Sequence, residues 1–356
     1  MRTSSRGAMA LLALLLALTL GLAACAEPEQ QPADAADEGY SLELFAMDTL
    51  IALNAYGPLA AQALPLGESM INEAERRLSA TLEGSEVYAC NQANGAPVRL
   101  SADSAALLAA ALDIAAATGG AFDISVYPLM REWGFPDGDY QLPEPQRIAE
   151  LLDSVGYRAL RLDGDTLTMP AGYAIDLGGI AKGDAAQRVI DAWRELGVEH
   201  GIISLGGNVQ ALGARPDGSP WRVGLTDPLA PQQVLGVIEL TDGAAVTSGG
   251  YQRYFEAGGR RYHHLLDPAD GYPADSGLLS VTVLCADGAS ADALSTALFV
   301  MGREAALDYW RAHDDIELLL IDEQRRVTAT EGAAARFALD EGAGYSYEIC
   351  YRAAQP

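Results

Sequence analysis

Lys182 is the single lysine among the chain's 23 lysine and arginine residues, and it lies in A-I-D-L-G-G-I-A-K-G, residues 174–183. Its ammonium is a compact charge, whereas an arginine presents a planar fork. The glycines precede a predicted helix, whose first turn offers free N–H groups and the positive end of the helix dipole. Together with Asp176, a hydrogen-bond acceptor, the segment predicts a phosphate site. The alternatives are that one lysine survived by chance and that the glycine-rich turn serves only packing.

Asp292 and Thr296 form a second constellation in S-A-D-A-L-S-T-A-L-F-V-M-G, residues 290–302. The two residues are four apart and therefore share one face of a helix. A carboxylate and a hydroxyl without sulfur or imidazole nearby are hard oxygen ligands that suit Mg²⁺. The alternative is helix capping by Ser290 or Asp292. On this pair alone, capping is the favoured interpretation.

Two adjacent histidines, His263 and His264, occur in R-Y-H-H-L-L-D-P-A-D-G-Y-P, residues 261–273. On a strand their side chains point to opposite faces, so only one of them can line a given pocket. That histidine could act as a general base near neutral pH. The alternative is the polar end of a hairpin, since D-P and D-G are turn signals regardless of function.

An aromatic stretch follows a glycine pair in T-G-G-A-F-D-I-S-V-Y-P-L-M-R-E-W-G-F, residues 118–135. The rings around Asp123 could form a wall for a flat ligand. Phe122, Trp133 and Phe135 are equally consistent with ordinary core packing. The composition of this stretch leaves both interpretations open.

The elements that must position these residues follow from apolar periodicity and turn signals. Helices are expected over residues 66–80, 101–118, 144–155, from Lys182 to Gly197, 289–300 and 303–313. Strands are expected at 41–56 (a pair or one bent strand), 158–169 (a hairpin turning at Asp163-Gly164), 202–205, 221–225, 234–240, 244–248, 251–266 (a hairpin turning at Gly258-Gly259), 278–285, 316–321 and 325–330. Mixed helices and hairpins without βαβ repetition are typical of the α+β class.

The chain's formal charge of −26 restricts its ligands. A nucleic-acid partner is not expected, because no basic stripe is present to displace counterions. A phosphate-bearing ligand would enter a repulsive field and would need a local cation. Lys182 or a metal ion is the expected supplier of that charge.

The N-terminus has the features of a bacterial lipoprotein signal. Residues 1–24 carry Arg2 and Arg6, then a mostly apolar run, and L-A-A-C at 22–25 resembles a lipobox. We expect cleavage before Cys25, a lipid anchor on Cys25, and an acidic flexible tether over residues 25–40. The protein would then be extracytoplasmic and membrane-anchored. The alternatives are an ordinary signal with an incidental cysteine and a short membrane anchor.

Taken together and in this order, these segments resemble the ApbE family, the FAD:protein FMN transferases. The resemblance covers about residues 42–330, and so many collinear motifs are highly specific. The matching motifs are F-A-M-D-T at 45–49, E-R-R-L-S at 75–79, S-E-V-Y-A-C-N at 85–91, T-G-G-A-F-D, D-L-G-G-I-A-K-G, S-L-G-G-N-V at 204–209, P-D-G-S-P-W-R-V-G-L at 216–225, V-T-S-G at 246–249, H-L-L-D-P at 264–268 and A-D-A-L-S-T-A-L at 291–298.

The resemblance implies a single ApbE-like, T-fold-related α+β domain over residues 41–340, with mixed and antiparallel sheets and packed helices, and a C-terminal tail at 341–356. It implies transfer of FMN from FAD to a threonine or serine hydroxyl of flavin-accepting membrane redox subunits, with release of AMP. His264 and Lys182 would be catalytic, and a Mg²⁺ ion, in place of capping, would be held by the Gly179 carbonyl, Asp292 and Thr296. FAD contacts would fall on Met47, Ala121, Phe122, Asp123, Asp176, Lys182 and His264.

Three other functions and two departures from the family pattern accompany this prediction. Water could replace the hydroxyl, giving FAD hydrolysis to FMN and AMP; the chain could be a non-enzymatic FAD-binding lipoprotein; or it could be a solute-binding lipoprotein, which would require two similar lobes. Family members often have an aromatic residue near Leu82, where Tyr88 lies close by in this chain. By this resemblance an acidic residue would follow T-S-G, whereas this chain has Gly250 there.

Overall fold

The computed structural model describes residues 38–352, in which hairpins and helices are mixed along the chain. This arrangement confirms the predicted α+β class. The helices are α1 (Ala60–Leu78), α2 (Glu86–Gln92), α3 (Ala102–Ala117), α4 (Tyr127–Glu132), α5 (Pro145–Leu152), α6 (Ala181–Leu196), α7 (Gly288–Ala312) and α8 (Glu331–Ala334). The strands are β1 (Gly39–Ala46), β2 (Thr49–Tyr56), β3 (Val98–Arg99), β4 (Arg161–Asp163), β5 (Thr166–Thr168), β6 (His200–Leu205), β7 (Asn208–Leu212), β8 (Trp221–Asp227), β9 (Ala230–Leu240), β10 (Gly243–Gly249), β11 (Tyr254–Ala257), β12 (Arg260–His263), β13 (Leu278–Cys285), β14 (Ile316–Asp322), β15 (Arg326–Thr330), β16 (Phe337–Leu339) and β17 (Ser346–Cys350).

A nine-stranded main sheet runs in the order β1-β2-β6-β7-β10-β13-β14-β15-β17. Its neighbouring strands are antiparallel except for β15 and β17, which are parallel. Helices α1, α6 and α7 cover one face, toward which β2 buries Ile51, Leu53 and Ala55 at alternate positions. The smaller sheet β16-β9-β8 packs on the other face through a separate apolar cluster.

Two tight turns lie side by side at one end of the main sheet. Between β1 and β2, Met47 and Asp48 have φ of 52° and 58°, a left-handed conformation that residues other than glycine seldom adopt. Between β6 and β7 the turn is Gly206–Gly207, where a side chain on Gly206 would lie 2.2 Å from the Thr49 hydroxyl. These turns bring Thr49, near the first strand pair, next to Gly206, about 160 residues later in the chain.

Several element boundaries differ from the sequence prediction. Helix α1 begins at Ala60, before Pro65, and helices α2 and α4 were not predicted. The two helices predicted at 289–300 and 303–313 are the two halves of α7, which bends at Gly302 (φ 81°). Short helices such as α2 carry too few turns for a clear apolar period.

The predicted tail at 341–356 contributes a strand. Residues Ser346–Cys350 form β17 and pair with β15 from Arg326↔Ser346 to Thr330↔Cys350. The main sheet therefore extends beyond residue 340. No alternation of buried and exposed residues marks β17, because it is an edge strand that is mostly exposed on both faces.

The predicted signal peptide 1–24, the anchor residue Cys25 and the tether as far as residue 37 lie outside the described residues. Among residues 38–352, no helix has both the length and the apolar character that crossing a membrane requires. Cys90, Cys285 and Cys350 are free thiols. Cys285 and Cys350 lie on strands three spacings apart, roughly 14 Å, which is too far for a disulfide.

Candidate functional site

A cavity of about 760 Å³ opens at the end of the main sheet where the two tight turns lie. A cavity of this size can enclose most of a large cofactor-sized molecule. The structure thus brings together residues from widely separated segments, and every site residue that the sequence predicted lines this one cavity. These residues are Met47, Ala121, Phe122, Asp123, Asp176, Gly179, Lys182, His264, Asp292 and Thr296.

Lys182 lies in the first turn of α6, at the cavity wall. Its Nζ donates a hydrogen bond to the Gly178 carbonyl at 2.9 Å and lies 3.6 Å from Asp292 Oδ2. Its side chain remains 25% exposed, so the ammonium has a donor left for a ligand. The lysine is therefore held in place by one carbonyl and one carboxylate while it faces the cavity.

Helices α6 and α7 touch through their backbones at Gly183 and Gly288. A Cβ on Gly183 would lie 2.1 Å from the Gly288 oxygen and 2.8 Å from Asp292 Cβ. The Gly183 N–H donates to Asp292 Oδ2 at 3.0 Å. The glycine after Lys182 is thus required by close packing, and that packing places the lysine beside Asp292.

Hard oxygen donors converge at the same wall. Asp292 is 4% exposed, and the Thr296 hydroxyl lies 3.3 Å from Ser248 Oγ on β10. A Cβ on Gly179 would lie 3.7 Å from Thr296 Oγ1, which shows how near this backbone comes to the hydroxyl. Within residues 38–352, no group of three or more His, Cys, Asp or Glu side chains could hold a metal. Asp292 and Thr296 thus offer one carboxylate and one hydroxyl beside the Gly179 backbone, and hard oxygen donors are the kind that Mg²⁺ prefers.

Neither Ser290 nor Asp292 caps this helix, so the capping interpretation is wrong. The N-cap of α7 is Asp287, whose carboxylate accepts a hydrogen bond from the Ser290 N–H at 2.7 Å. Asp292 lies beyond the cap, in the body of the helix. Its buried carboxylate instead faces α6 and the cavity.

His264 follows β12 and lies in the cavity wall. Its backbone N–H and its Nδ1 both lie 3.1 Å from the Arg253 carbonyl. A carbonyl can only accept, so Nδ1 carries the proton and Nε2 keeps a free lone pair. Burial, with the nearby Arg253 charge, lowers the pKa of His264 to about 3. The ring is therefore neutral at physiological pH.

His263 points away from the cavity, as the strand geometry predicts. Its ring packs edge-on against Phe299 with centroids 5.4 Å apart. A Cβ on Gly250 would lie only 2.8 Å from His263 Cδ2. The imidazole thus occupies the space that a side chain at position 250 would need, which accounts for the glycine at this position.

Asp123 and Asp176, the two acids predicted to contact FAD, differ in their surroundings. Asp123 is buried, and its oxygens accept hydrogen bonds from the Ser125 N–H at 2.8 Å and the Tyr157 N–H at 2.7 Å, so it holds its own loop in place. Asp176 accepts one from the Gly178 N–H at 2.9 Å. Although it retains some exposure to the cavity, burial by the surrounding protein raises the pKa of Asp176, an effect that the charge of Lys182 partly offsets.

Besides Asp48 in the Met47 turn, two charged residues of the cavity were not predicted. Glu75, at the end of α1, accepts a hydrogen bond from the Met47 N–H at 2.9 Å and so supports the left-handed turn. Arg253 lines the cavity and lies 3.5 Å from Asp48, so Lys182 is not its sole cation. Both lie in or beside motifs that the sequence singled out, but nothing in those motifs indicated which side chain would turn inward.

The position that is often aromatic in the family remains aliphatic at the cavity. Leu82 lines the wall and is 46% exposed. Tyr88 is not among the lining residues within the described chain, and its N–H donates to the helix cap Ser85. The aromatic rings that do line the cavity are those of Phe122 and Tyr127.

Comparisons with known proteins show which family this chain resembles. The ApbE family model matches residues 47–320. The FAD:protein FMN transferase of Klebsiella pneumoniae is 34% identical over 309 residues, which are 85% of this chain and 96% of that protein. That of Treponema pallidum is 33% identical over 286 residues, 75% of this chain and 79% of that protein. The crystal structure of the ApbE protein from Thermotoga maritima superimposes with a TM-score of 0.76 at 32% identity, covering 86% of this chain and 98% of that one.

Proposed function

This chain belongs to the ApbE family, as its motifs suggested, and we propose on that premise that it transfers FMN from FAD to a threonine or serine hydroxyl of a target protein, releasing AMP in a Mg²⁺-dependent reaction. One observation carries the proposal. A lysine, a set of hard oxygen donors and a neutral histidine, far apart in sequence, line a single cavity of about 760 Å³. Those are the groups that breaking a pyrophosphate requires.

Binding of FAD depends on positive charge within a strongly acidic protein. The chain's formal charge of −26 repels a pyrophosphate at long range. Lys182 and Arg253 both line the cavity and can offset this repulsion locally. Because Lys182 is held by the Gly178 carbonyl at 2.9 Å, little conformational entropy is lost when it meets a phosphate oxygen.

Asp292, Thr296 and the Gly179 carbonyl would hold the Mg²⁺ ion. Asp292 Oδ2 is already engaged by the Gly183 N–H, whereas Oδ1 makes no hydrogen bond within residues 38–352 and is free for a cation. When bound, the ion would neutralise charge on the pyrophosphate and stabilise the departing AMP. Ser248, 3.3 Å from the Thr296 hydroxyl, orients that ligand.

His264, with its free Nε2 lone pair, would remove the proton of the acceptor hydroxyl. The hydroxyl oxygen forms a bond to the FMN phosphorus, and the bond from that phosphorus to the bridging oxygen breaks. The proton passes to His264 Nε2, and AMP leaves with the bridging oxygen. In the protein alone the pKa of His264 is about 3, and the negative charge of bound FAD would raise it and strengthen the base.

We propose further that the enzyme works at the outer side of a membrane, anchored through Cys25, with the tether of residues 25–40 between the lipid and the domain. The lipobox-like L-A-A-C of residues 22–25 supports this location. An anchored enzyme meets acceptors in the same membrane more often than acceptors in solution. Flavin-accepting membrane redox subunits are therefore the expected partners.

The decisive experiment uses the chain from residue 26 onward, with FAD, Mg²⁺ and a threonine-bearing polypeptide. Covalent flavin fluorescence on the polypeptide after denaturing electrophoresis supports transfer. Release of FMN and AMP without an acceptor supports hydrolysis instead. Tight binding of unchanged FAD would exclude both reactions. Asp292→Asn, which removes the carboxylate of the metal site, serves as the control with lowered activity at limiting Mg²⁺.

A further inference from the structure

A second, smaller cavity of about 290 Å³ lies next to the cavity of about 760 Å³ described above, which we call the flavin cavity. We call it the outer cavity, because it lies on the face of the main sheet that is opposite helices α6 and α7. Gly206, Thr247 and Gln252 line both cavities. A molecule held in the outer cavity would therefore adjoin the ligand of the flavin cavity.

The partition between the cavities contains a turn without side chains. Gly206 and Gly207 have φ of 54° and 100°, conformations that favour glycine. A Cβ on Gly207 would lie 2.9 Å from Gln252 Nε2, so the turn is bare and closely packed.

The outer cavity is suited to an apolar side chain. It lies between β8 and β9 on one side and β7 and β10 on the other, and every residue that lines it within residues 38–352 is uncharged. Its walls are mainly apolar, with hydroxyls only from threonine and Tyr251, and its volume is that of one or two large side chains. The apolar walls come from Val209, Val223, Leu225, Ile238 and Ala245.

An exposed apolar pair continues the same surface. Phe45 and Leu50 are cross-strand partners beside the Met47 turn, and they are 74% and 62% exposed. The register Ala52↔Ser204↔Val209↔Ala245 defines one face of the main sheet, and Leu50 lies two residues from Ala52 on that face. The pair and the outer cavity therefore lie on one side of the sheet, at the end that carries the flavin cavity.

An extended polypeptide fits this surface better than a small solute. Strand β8 supplies Val223, Leu225 and Thr226 to the outer cavity and is the edge of the sheet β16-β9-β8 as far as residues 38–352 show. An edge strand has free backbone groups that can pair with an added strand, while side-chain pockets select alternate residues. A protein acceptor must in any case bring its hydroxyl to the flavin cavity.

We propose that the outer cavity and the Phe45–Leu50 pair form the docking site of the acceptor polypeptide. The acceptor binds as an extended chain, with an apolar side chain close to its reactive hydroxyl seated between Val223 and Ala245. This inference rests on the proposed transferase function and adds a sequence preference to it. By this inference, residues on the outer face of the sheet determine which acceptor binds, and residues of the flavin cavity bind FAD.

The test compares short peptides that carry one threonine and differ at a single neighbouring position, occupied by Ala, Leu, Phe or Asp. With FAD and Mg²⁺, the wild type should use the Leu peptide about tenfold better than the Ala or Asp peptide, as kcat/KM. Val223→Ala enlarges the outer cavity and should move the preference toward Phe. Val223→Phe fills it and should move the preference toward Ala.

Phe45→Ser should raise KM for every peptide without changing the Kd of FAD. Its matched control is Tyr351→Ser, which removes a side chain that is 65% exposed beyond β17, at the opposite edge of the sheet. Equal use of all peptides by the wild type, or unchanged preferences in both Val223 variants, would overturn the docking site while leaving the transferase intact. If the wild type flavinylates no peptide while it binds FAD, the proposed function itself fails.

Discussion

Replacing Gly183 by alanine should damage activity far more than stability. The added methyl would lie 2.1 Å from the Gly288 oxygen and 2.6 Å from its carbon, where an ordinary contact is at least 3.4 Å. These are backbone atoms and cannot rotate away, so α6 and α7 must separate by about 1.3 Å. Overpacking of this kind costs about 1–3 kcal/mol, of which alanine's better helix propensity returns up to about 1 kcal/mol.

The same displacement should be much more harmful in the flavin cavity. It lengthens the 3.0 Å hydrogen bond from the Gly183 N–H to Asp292 and moves Asp292 relative to Lys182. A misplacement of about 1 Å among catalytic groups can cost about 100-fold in rate. We therefore expect a folded variant with about one-hundredth of the wild-type kcat/KM for FAD and a higher Mg²⁺ requirement.

Urea unfolding and steady-state FAD consumption measure the two effects separately. Gly342→Ala is the control, because that glycine is exposed, has no positive φ, and its nearest contact would be a side-chain oxygen at 3.3 Å. Gly288→Ala should give a milder loss, since its added methyl would meet the movable Gln210 side chain at 2.4 Å and the backbone only at 2.8 Å, from the Gly183 oxygen. Wild-type turnover and an unchanged Mg²⁺ requirement in Gly183→Ala would refute the idea that this helix contact sets the site.

Three further predictions concern individual side chains. Lys182→Ala should lower kcat/KM for FAD about 10–100-fold, the worth of a hydrogen bond to a charged group, and Lys182→Arg should restore only part of it; a fully active arginine variant would show that the compact charge is unnecessary. Asp292→Asn should raise the Mg²⁺ concentration for half-maximal activity at least about tenfold, and calorimetric titration with Mg²⁺ should show the same weakening; identical titrations would place the metal elsewhere. The pKa of His264 is about 3 in the native protein and about 6.5 in the unfolded chain, so the unfolded chain takes up a proton first as pH falls. His264 should therefore lower the free energy of unfolding by about 2 kcal/mol between pH 7 and pH 5. His264→Gln should show a correspondingly smaller loss in urea unfolding, and equal losses would contradict the low pKa.

Local sequence patterns were sufficient to predict those helices and hairpins whose ends are marked by capping or turn residues. The helix over Ala102–Ala117 and the hairpin turning at Asp163-Gly164 were predicted to within a few residues, because caps, glycine stops and apolar spacing act over a few neighbours. The α+β class followed from the order of those elements. Motif order also predicted which residues would line one cavity.

The charged residues that complete the cavity could not be read from local pattern. Glu75 and Arg253 are ordinary surface types in sequence, and only packing brings Glu75 to the Met47 N–H and Arg253 to the cavity wall. The cap of α7 shows the same limit, since Asp287 and Asp292 are chemically equivalent acids near one helix start. Which acid caps and which faces α6 depends on the helix crossing, not on spacing.

The sequence by itself determined the α+β class and, through its lone lysine, a point of positive charge in an acidic chain, and its motifs predicted residues that line one cavity. Tertiary structure alone decided that Lys182 Nζ lies 3.6 Å from Asp292 Oδ2, that β17 is the last strand at one edge of the main sheet, and that an outer cavity adjoins the flavin cavity. The physical reason is distance along the chain. Gly183 and Asp292 are 109 residues apart, and their hydrogen bond exists only because two glycines let α6 and α7 meet backbone to backbone.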